Sequence, residues 1–225
     1  MYVYIFHILT FSYYSHIGYI ELNCPVIHPL YYKQVVSIIK CFCIKCHQLL
    51  ITEDQIMLNN FHKSKGVKRF NKILEKLDKI DMCSHCSHPQ PDIKHTIADN
   101  LISMIYKDKV KGKVSITLQV EEIKKIFDNI SDDDVVLLGF NPKLMHPKSL
   151  ILTVFPVIPT CCRPYIISES NICDDDLTIQ LVEIIKANNH LEQLDGIQLS
   201  DTKKTKYLHT LKFRIATFYN NSSGK

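Results

Sequence analysis

The chain has 225 residues, a formal net charge of +4, nine cysteines, six glycines and no tryptophan. A chain of this length buries enough surface to fold without disulfides or a metal ion, so any metal site has to be argued from local spacing. The six glycines lie far apart, which excludes glycine-rich phosphate loops and the nucleophile elbow of serine hydrolases, because each needs two or more glycines within a few residues.

The first 20 residues are apolar and aromatic, which raises the question of a signal peptide or a membrane anchor. They lack a basic segment and a small-residue cleavage site, and polar residues such as His7, Ser12 and His16 interrupt the apolar run. We expect a buried strand or an irregular leader here, with a membrane anchor as the alternative.

The rest of the chain shows no linker, and its patterns predict an α+β fold in one unit, with short strands and several amphipathic helices. Apolar residues at steps of three and four predict a helix over residues 65–80 whose other face is basic. Residues 31–40 alternate only weakly between apolar and polar. Alternation predicts a strand over residues 113–120, and a helix follows whose apolar stripe ends at Ile130.

The second half of the chain contains two acidic clusters and further elements. Ser131 and Asp134 have the spacing of a capping box. The apolar run 149–155 predicts a strand buried on both faces. Asp174, Asp175 and Asp176 begin a helical pattern, and a last helix is predicted over 207–219. Because consecutive carboxylates diverge, helix capping is favoured over magnesium binding in both clusters.

Two CxxC motifs carry the strongest chemical signal: Cys43 with Cys46, and Cys83 with Cys86. Two tight turns, each pointing two thiolates the same way, complete the tetrahedron that zinc prefers. Because all four positions are then sulfur, such a zinc ion is structural. Four buried thiols are the alternative. A thioredoxin-like redox motif is disfavoured, since one CxxC would suffice for it.

The remaining cysteines and nearby histidines are interpreted as structural residues. Cys41 is too close to Cys43 to share its turn, and the histidines beside the motifs, His47, His85 and His88, are interpreted as surface residues. The other cysteines have no paired spacing and are predicted to be small buried side chains: Cys24, Cys161, Cys162 and Cys173.

Basic residues cluster over 62–79, where seven lysines and arginines face two acidic residues. The candidates for contact with nucleic acid are Lys65, Lys68, Arg69 and Lys72. A basic helix face beside a zinc site suits a phosphate backbone. A simply solvated helix face remains an equal alternative.

Several motifs follow one another in order from residue 16 to residue 221. They are HIGYIEL at 16–22, CxxC at 43–46, CSHPQP at 86–91, IFDNIS at 126–131, RP at 163–164, DDLT at 175–178 and ATFYNN at 216–221. This series resembles the N-terminal clamp region of the largest subunit of multisubunit DNA-directed RNA polymerases of the eukaryotic, archaeal and large-DNA-virus type.

The resemblance implies a zinc-stabilised, clamp-head-like domain over residues 16–225, preceded by an unmatched apolar leader over 1–15. It implies that Cys43, Cys46, Cys83 and Cys86 hold one clamp zinc ion, in agreement with their spacing. It also implies that the family's second zinc site is lost, since only His16 survives and Tyr13 stands where the last cysteine would be. Cysteines at 161 and 162 also replace prolines of the family. From these departures we expect a divergent start of the chain, a split gene or a truncated reading frame.

The resemblance also implies a role in transcription. The family's catalytic magnesium is held by an NADFDGD loop further along the subunit, and the 225 residues contain no such motif. We therefore expect no RNA synthesis by this chain alone, but a clamp wall that helps hold template DNA within a nucleotidyltransferase complex. The implied partners are DNA, the second-largest subunit, the remainder of the largest subunit and the other polymerase subunits, with no membrane.

The implied location is the site of transcription, which is the nucleus for a cellular protein and the virion or host cytoplasm for a large DNA virus. The many Ile, Lys, Asn and Tyr residues are compatible with the AT-rich genome of such a virus. An independent zinc-dependent DNA-binding or adaptor protein is the alternative.

Overall fold

The computed structural model of the protein describes residues 16–96, 101–108, 112–168, 171–195 and 201–221. These residues divide into two compact units. The helical-hairpin unit comprises the described residues of 1–30 and 152–225, and the cysteine unit comprises those of 31–151. Helices and strands are mixed along the chain, so the expected α+β class is confirmed. The sequence predicted a single unit, and the structure differs because the described residues before 31 and after 151 build one unit around which no linker is needed.

The described strands are β1 (Gly18–Ile27), β2 (Asp92–Thr96), β3 (Leu101–Asp108), β4 (Gly112–Leu118), β5 (Ile151–Val157), β6 (Ile166–Ser168) and β7 (Asn171–Cys173). The described helices are α1 (Tyr32–Ile39), α2 (Glu53–Leu58), α3 (Gly66–Leu77), α4 (Val120–Asp128), α5 (Asp132–Leu137), α6 (Asp176–Asp195) and α7 (Asp201–Tyr219). The last helix therefore begins six residues before the predicted start at 207.

The helical-hairpin unit packs a two-stranded sheet of β1 and β5 against α6, which in turn lies along α7. Phe155 is fully buried at its centre, with its ring centroid 5.2 Å from that of Phe218. The other buried apolar members of this core are Ile20, Val26, Leu181, Ile184, Ala187, Leu191, Leu211 and Ile215. An aspartate caps α6 as expected, because Asp175 Oδ1 accepts a hydrogen bond from Leu177 N at 2.9 Å.

Strand β5 is not buried on both faces, contrary to the sequence prediction. Ile151 and Phe155 are buried, whereas Val154 is 44% exposed. The strand belongs to a sheet of only two strands, and such a sheet can bury one face and leave the other partly exposed.

The cysteine unit contains an antiparallel sheet in the order β2-β3-β4, in which Met104 of β3 pairs with Ile93 and Ile116 of its neighbours. The predicted strand over 113–120 is confirmed as β4. Its apolar face is covered only at one end, because Leu118 is buried while Ile116 is 48% exposed.

Helices α3, α4 and α5 form where their patterns predicted them. Helix α3 buries Phe70, Ile73 and Leu77, and α4 buries all its apolar stripe. The capping box is confirmed at α5, where Asp134 N donates to Ser131 Oγ at 3.1 Å. Amide donors that would otherwise lack partners are thereby satisfied at the start of this short helix.

No helix among the described residues is both long enough and apolar enough to cross a membrane. The leader over residues 1–15 lies outside the described residues.

Candidate metal centre and the neighbouring basic helix

The first CxxC motif occupies a tight turn after α1. Cys43 N donates to the carbonyl oxygen of Gln48 at 2.9 Å, and His47 N donates to the carbonyl oxygen of Cys43 at 2.9 Å. Phe42 and Leu49 form an antiparallel bridge at the base of the turn. This pattern fixes the direction in which the first pair of sulfurs points.

The second CxxC motif repeats this arrangement after α3. Cys83 N donates to the carbonyl oxygen of His88 at 2.9 Å, and Ser87 N donates to that of Cys83 at 2.9 Å. Met82 and Pro89 form the corresponding bridge. The two motifs are therefore equivalent turns built from different sequences.

Both turns require a left-handed backbone at the residue after the second cysteine. His47 has a φ of 59° and Ser87 a φ of 52°. This region is unfavourable for residues with a Cβ atom, by about 1–2 kcal/mol. The bridges and the turn hydrogen bonds hold both residues there.

The four sulfurs converge. All lie within 4.8 Å of one another, with Sγ–Sγ distances of 3.6 Å between Cys43 and Cys86 and 3.7 Å between Cys46 and Cys83. Four sulfurs at bond lengths of about 2.3 Å around a tetrahedral ion lie roughly 3.8 Å apart. The cluster could therefore hold one metal ion, and its donor set and spacing are compatible with zinc.

Neighbouring N–H groups point at the sulfurs. Gln90 Nε2 donates to Cys43 Sγ at 3.4 Å, and His85 N donates to Cys83 Sγ at 3.4 Å. Both acceptors are buried. Such donors stabilise thiolates, which are the form that binds metal. Gln90 belongs to the CSHPQP motif at 86–91, but its spacing did not indicate a contact with a sulfur, because a single amide donor has no characteristic spacing.

The thiols differ in their readiness to ionise. Burial opposes the ionisation of Cys43, but hydrogen bonds from the Cys46 and Lys45 amides and from Gln90 outweigh it and lower the pKa of Cys43 to about 7. Burial, together with hydrogen bonds among the neighbouring thiols, raises the pKa of Cys46 to about 12. A cation bound between the sulfurs would displace the thiol protons that remain.

The neighbouring candidate ligands lie outside the cluster, as expected, but of the three histidines only His85 is exposed, since His47 and His88 are half-buried. The Cys41 thiol is fully buried and donates to the Ser37 carbonyl oxygen at 3.4 Å. His47 Nδ1 lies 2.9 Å from Asn129 Nδ2, so this ring nitrogen is hydrogen-bonded to Asn129. The half-buried His88 ring lies edge-on to that of Tyr106, with the two ring centroids 6.3 Å apart.

The prediction that the four unpaired cysteines are buried is wrong for three of them. Cys161, Cys162 and Cys173 are exposed, and Cys24 is half-buried. Cysteine is usually buried, but these three lie on short turns and a two-stranded hairpin that have no covering layer among the described residues.

The four basic candidates all lie at or on α3, and three are exposed: Lys65, Lys68 and Lys72. Lys72 Nζ donates to Ser64 Oγ at 2.9 Å. The fourth, Arg69, is half-buried, and burial lowers its pKa.

Arg69 also has a packing role. A Cβ added to Gly139, whose φ is +99°, would lie 3.0 Å from Arg69 Cδ and 3.1 Å from Arg69 Cβ. Gly66 N donates to the Gly139 carbonyl oxygen at 3.1 Å. The Arg69 stem therefore covers a glycine turn that fixes the start of α3.

Helix α3 returns the chain to the first cysteine turn. Lys40, which follows α1, has its Nζ 3.7 Å from Asp78 Oδ1 at the end of α3. This pair, in which Asp78 is exposed and Lys40 half-buried, contributes little energy, but it marks where the two cysteine-bearing segments meet. The predicted helix thus brings the second cysteine pair back to the first.

The chain has relatives among known proteins. Residues 9–225 match the family described as RNA polymerase Rpb1, domain 1. The chain is 35% identical, over 94% of its length, to the "Probable DNA-directed RNA polymerase II subunit RPB1 homolog" of Invertebrate iridescent virus 6. It is 33% identical, over 93% of its length, to "DNA-directed RNA polymerase III subunit RPC1" of Plasmodium falciparum.

An archaeal relative is similar over the same share of the chain. The "DNA-directed RNA polymerase subunit Rpo1N" of Methanocaldococcus jannaschii is 30% identical over 93% of the chain. The chain spans only 27% of the viral relative, 9% of the Plasmodium relative and 16% of the archaeal relative.

Proposed function

The chain belongs to the RNA polymerase Rpb1, domain 1 family, and from this membership we propose that it acts as part of the largest subunit of a DNA-directed RNA polymerase. The ordered motifs of the sequence resemble the same subunit. In this proposal the assembled enzyme, and not this chain alone, carries out nucleotidyl transfer. The assembly acts at the site of transcription, which is the nucleus for a cellular protein and the virion or host cytoplasm for a viral one. The partners are the second-largest subunit, the remainder of the largest subunit and the other polymerase subunits.

Within the assembly, the chain contributes a clamp-head-like wall stabilised by one structural zinc ion. The observation that carries this role is the convergence of four cysteine sulfurs within 4.8 Å. Four thiolates suit zinc and leave no position for water or substrate. The ion would fix the ends of α1 and α3 relative to each other, and with them the basic face of α3.

The basic face of α3 is proposed to contact the phosphates of template DNA. Lys65, Lys68 and Lys72 are exposed on or beside this helix. Lysines at phosphates release condensed counterions, so their contribution to binding falls as salt rises. In this proposal Arg69 contributes only at the edge of the basic face, because its stem packs against Gly139.

Co-purification tests the assembly role. An epitope-tagged full chain, isolated from the cells in which it is naturally expressed, should bring down the second-largest polymerase subunit. A Cys83→Ser variant should lose it, because the cysteine unit would lose its metal, whereas Cys173→Ser, at an exposed thiol, should retain it. Recovery of folded, zinc-containing chain without any polymerase subunit would show that the assembly role is wrong. DNA retained in that preparation would then favour the independent DNA-binding protein.

Charge reversal tests the proposed binding of DNA by α3. The triple variant Lys65→Glu, Lys68→Glu, Lys72→Glu should weaken duplex DNA binding by the assembly. The slope of log affinity against log salt should become shallower by about 0.9 for each phosphate that a lysine no longer neutralises.

A matched variant separates this local effect from net charge. It reverses three lysines that are exposed elsewhere on the cysteine unit: Lys113, Lys143 and Lys148. An equal decrease of affinity in the two triple variants would contradict DNA binding by α3.

A further inference from the structure

Cys161 and Cys162 form an exposed pair of adjacent thiols in the helical-hairpin unit. They end a single 3-10 turn over Thr160–Cys162, and their sulfurs lie 4.0 Å apart. They are far along the chain from the four-cysteine cluster and take no part in it. Both sulfurs therefore face solvent side by side.

The turn that carries this pair is fixed on both sides. Pro159 precedes it, and Cys162 N donates to the Pro159 carbonyl oxygen at 3.0 Å. Arg163 then reaches back across the turn, with Nε donating to the Ile158 carbonyl oxygen at 3.1 Å and Nη1 donating to Thr178 Oγ1 at 3.0 Å. A backbone held in this way loses little freedom when the thiols take a ligand.

The sulfur separation favours chelation over a disulfide. Two sulfurs sharing a tetrahedral ion with bonds of about 2.3 Å lie roughly 3.8 Å apart, close to the 4.0 Å between Cys161 and Cys162. A disulfide would require about 2.04 Å and a Cα separation of at least about 4.4 Å, whereas Cα atoms joined by a trans peptide are only about 3.8 Å apart. The adjacent pair therefore fits a bridging atom better than a direct bond.

We propose that Cys161 and Cys162 form a bidentate dithiol site for soft, thiophilic metal and metalloid centres. Soft thiolates select such centres over magnesium and calcium. The hydrogen bond and the charge of Cys161 raise the pKa of Cys162, and a centre bound to both sulfurs would displace the proton that this thiol retains. This site is additional to the polymerase role and does not depend on it.

A trivalent organic arsenical, phenylarsine oxide, is a suitable probe. Two S–H bonds and the arsenic–oxygen double bond break, two arsenic–sulfur bonds form, and one water molecule leaves with both thiol protons. Arsenic stays trivalent throughout, so no oxidant or reductant is needed. A single thiol cannot form the closed product, and excess monothiol removes its adducts.

The experiment uses the zinc-loaded full chain with phenylarsine oxide and excess monothiol, followed by intact mass spectrometry and zinc analysis. We expect one arsenical per chain, no loss of zinc, and reversal by a small dithiol. Cys161→Ser and Cys162→Ser should each abolish the adduct. Cys173→Ser, which removes a lone exposed thiol, should retain it.

Peptide mapping of the wild-type adduct keeps the test decisive if a serine variant misfolds, because the arsenical must bridge residues 161 and 162. The proposal is overturned by a wild-type chain that forms no adduct, by an adduct that survives in Cys161→Ser, or by one that forms only as zinc is released.

Discussion

Two parts of the molecule join distant chain segments by different means. In the cysteine unit, Cys43 and Cys86 lie 43 positions apart in sequence and meet with their sulfurs 3.6 Å apart. In the helical-hairpin unit, Asn23 and Asn188 lie 165 positions apart and meet through a 2.9 Å hydrogen bond. The first junction suits a metal ion, whereas the second consists of amides inside an apolar core.

Both polar atoms of the Asn188 side chain are hydrogen-bonded. Asn188 is completely buried. Its Oδ1 accepts from Asn23 N, and its Nδ2 donates to the Glu21 carbonyl oxygen at 2.8 Å. Asn23 Nδ2 also donates to the Asn188 carbonyl oxygen at 2.8 Å. These hydrogen bonds connect β1 to α6. They fix the relative position of the two elements more specifically than apolar burial alone would.

Removal of the metal should have the largest effect. Cys83→Ser deletes one of the four sulfurs, and structural zinc contributes on the order of 10 kcal/mol in small modules. We expect loss of the zinc ion proposed for this cluster and unfolding of the cysteine unit, measured by elemental analysis and by hydrogen exchange over residues 31–151. A strong chelator should reproduce this result.

Cys173→Ser is the matched control for that change, because it removes an exposed thiol outside the cluster. It should leave the zinc content and the exchange pattern unchanged. Folded Cys83→Ser protein with a full complement of zinc would contradict the metal junction.

Breaking the amide junction should cost less. Asn188→Ala leaves Asn23 N and the Glu21 carbonyl oxygen without their partners and opens a small cavity, so we expect about 2–4 kcal/mol of lost stability. The measurement is chemical unfolding, with zinc content unchanged because the cluster lies in the other unit.

Asn189→Ala offers a close comparison one residue along α6. Asn189 is half-buried, and its Oδ1 has no hydrogen-bond partner among the described residues. Its truncation should cost under about 1 kcal/mol. If the two substitutions reduce the free energy of unfolding equally, the hydrogen bonds of Asn188 do not contribute to stability.

Tyr32 supplies a pH-dependent contribution in the cysteine unit. It is buried, with its ring stacked on His95 at a centroid distance of 4.8 Å. Burial raises the pKa of Tyr32 from 10.0 to about 12. The neutral form is favoured by folding, so this stability is fully present below pH 10 and is lost as pH rises toward 12. It corresponds to roughly 2–3 kcal/mol.

Tyr32→Phe tests this contribution, since phenylalanine keeps the ring but cannot ionise. The stability difference between wild type and variant should change between pH 10 and pH 12 in the direction of wild-type loss. Parallel stability curves across that range would show that ionisation of Tyr32 is not coupled to folding.

The two junctions also differ in how far the sequence predicts them. Paired cysteines have a recognisable spacing, and the basic helix between them has a period, so the cluster and α3 could be expected from sequence. Nothing in the spacing of Asn23 and Asn188 indicates that they meet, because one amide pair has no period. Such pairings depend on a tertiary arrangement that local patterns do not encode.

Exposure was the least predictable property. Val67 continues the apolar period of α3, yet it is 64% exposed, because it lies in the first turn of the helix, beyond the covered stripe. Cys161 and Cys162 are exposed although cysteine is usually buried. Periodicity identifies an apolar face, but the neighbouring elements decide how much of that face they cover.

The smallest predicted effect concerns the two equivalent cysteine turns. Ser87 is held at a φ of 52°, where glycine has no Cβ penalty but loses more entropy on folding. Ser87→Gly should therefore stabilise the zinc-loaded protein by about 0.5–1 kcal/mol, measured by thermal unfolding at fixed zinc. Ser84→Gly in the same turn, where φ is not positive, should destabilise it by a similar amount. His47→Gly should gain less than Ser87→Gly, because it also removes the hydrogen bond between His47 and Asn129. If both serine substitutions destabilise equally, the left-handed backbone at Ser87 imposes no strain.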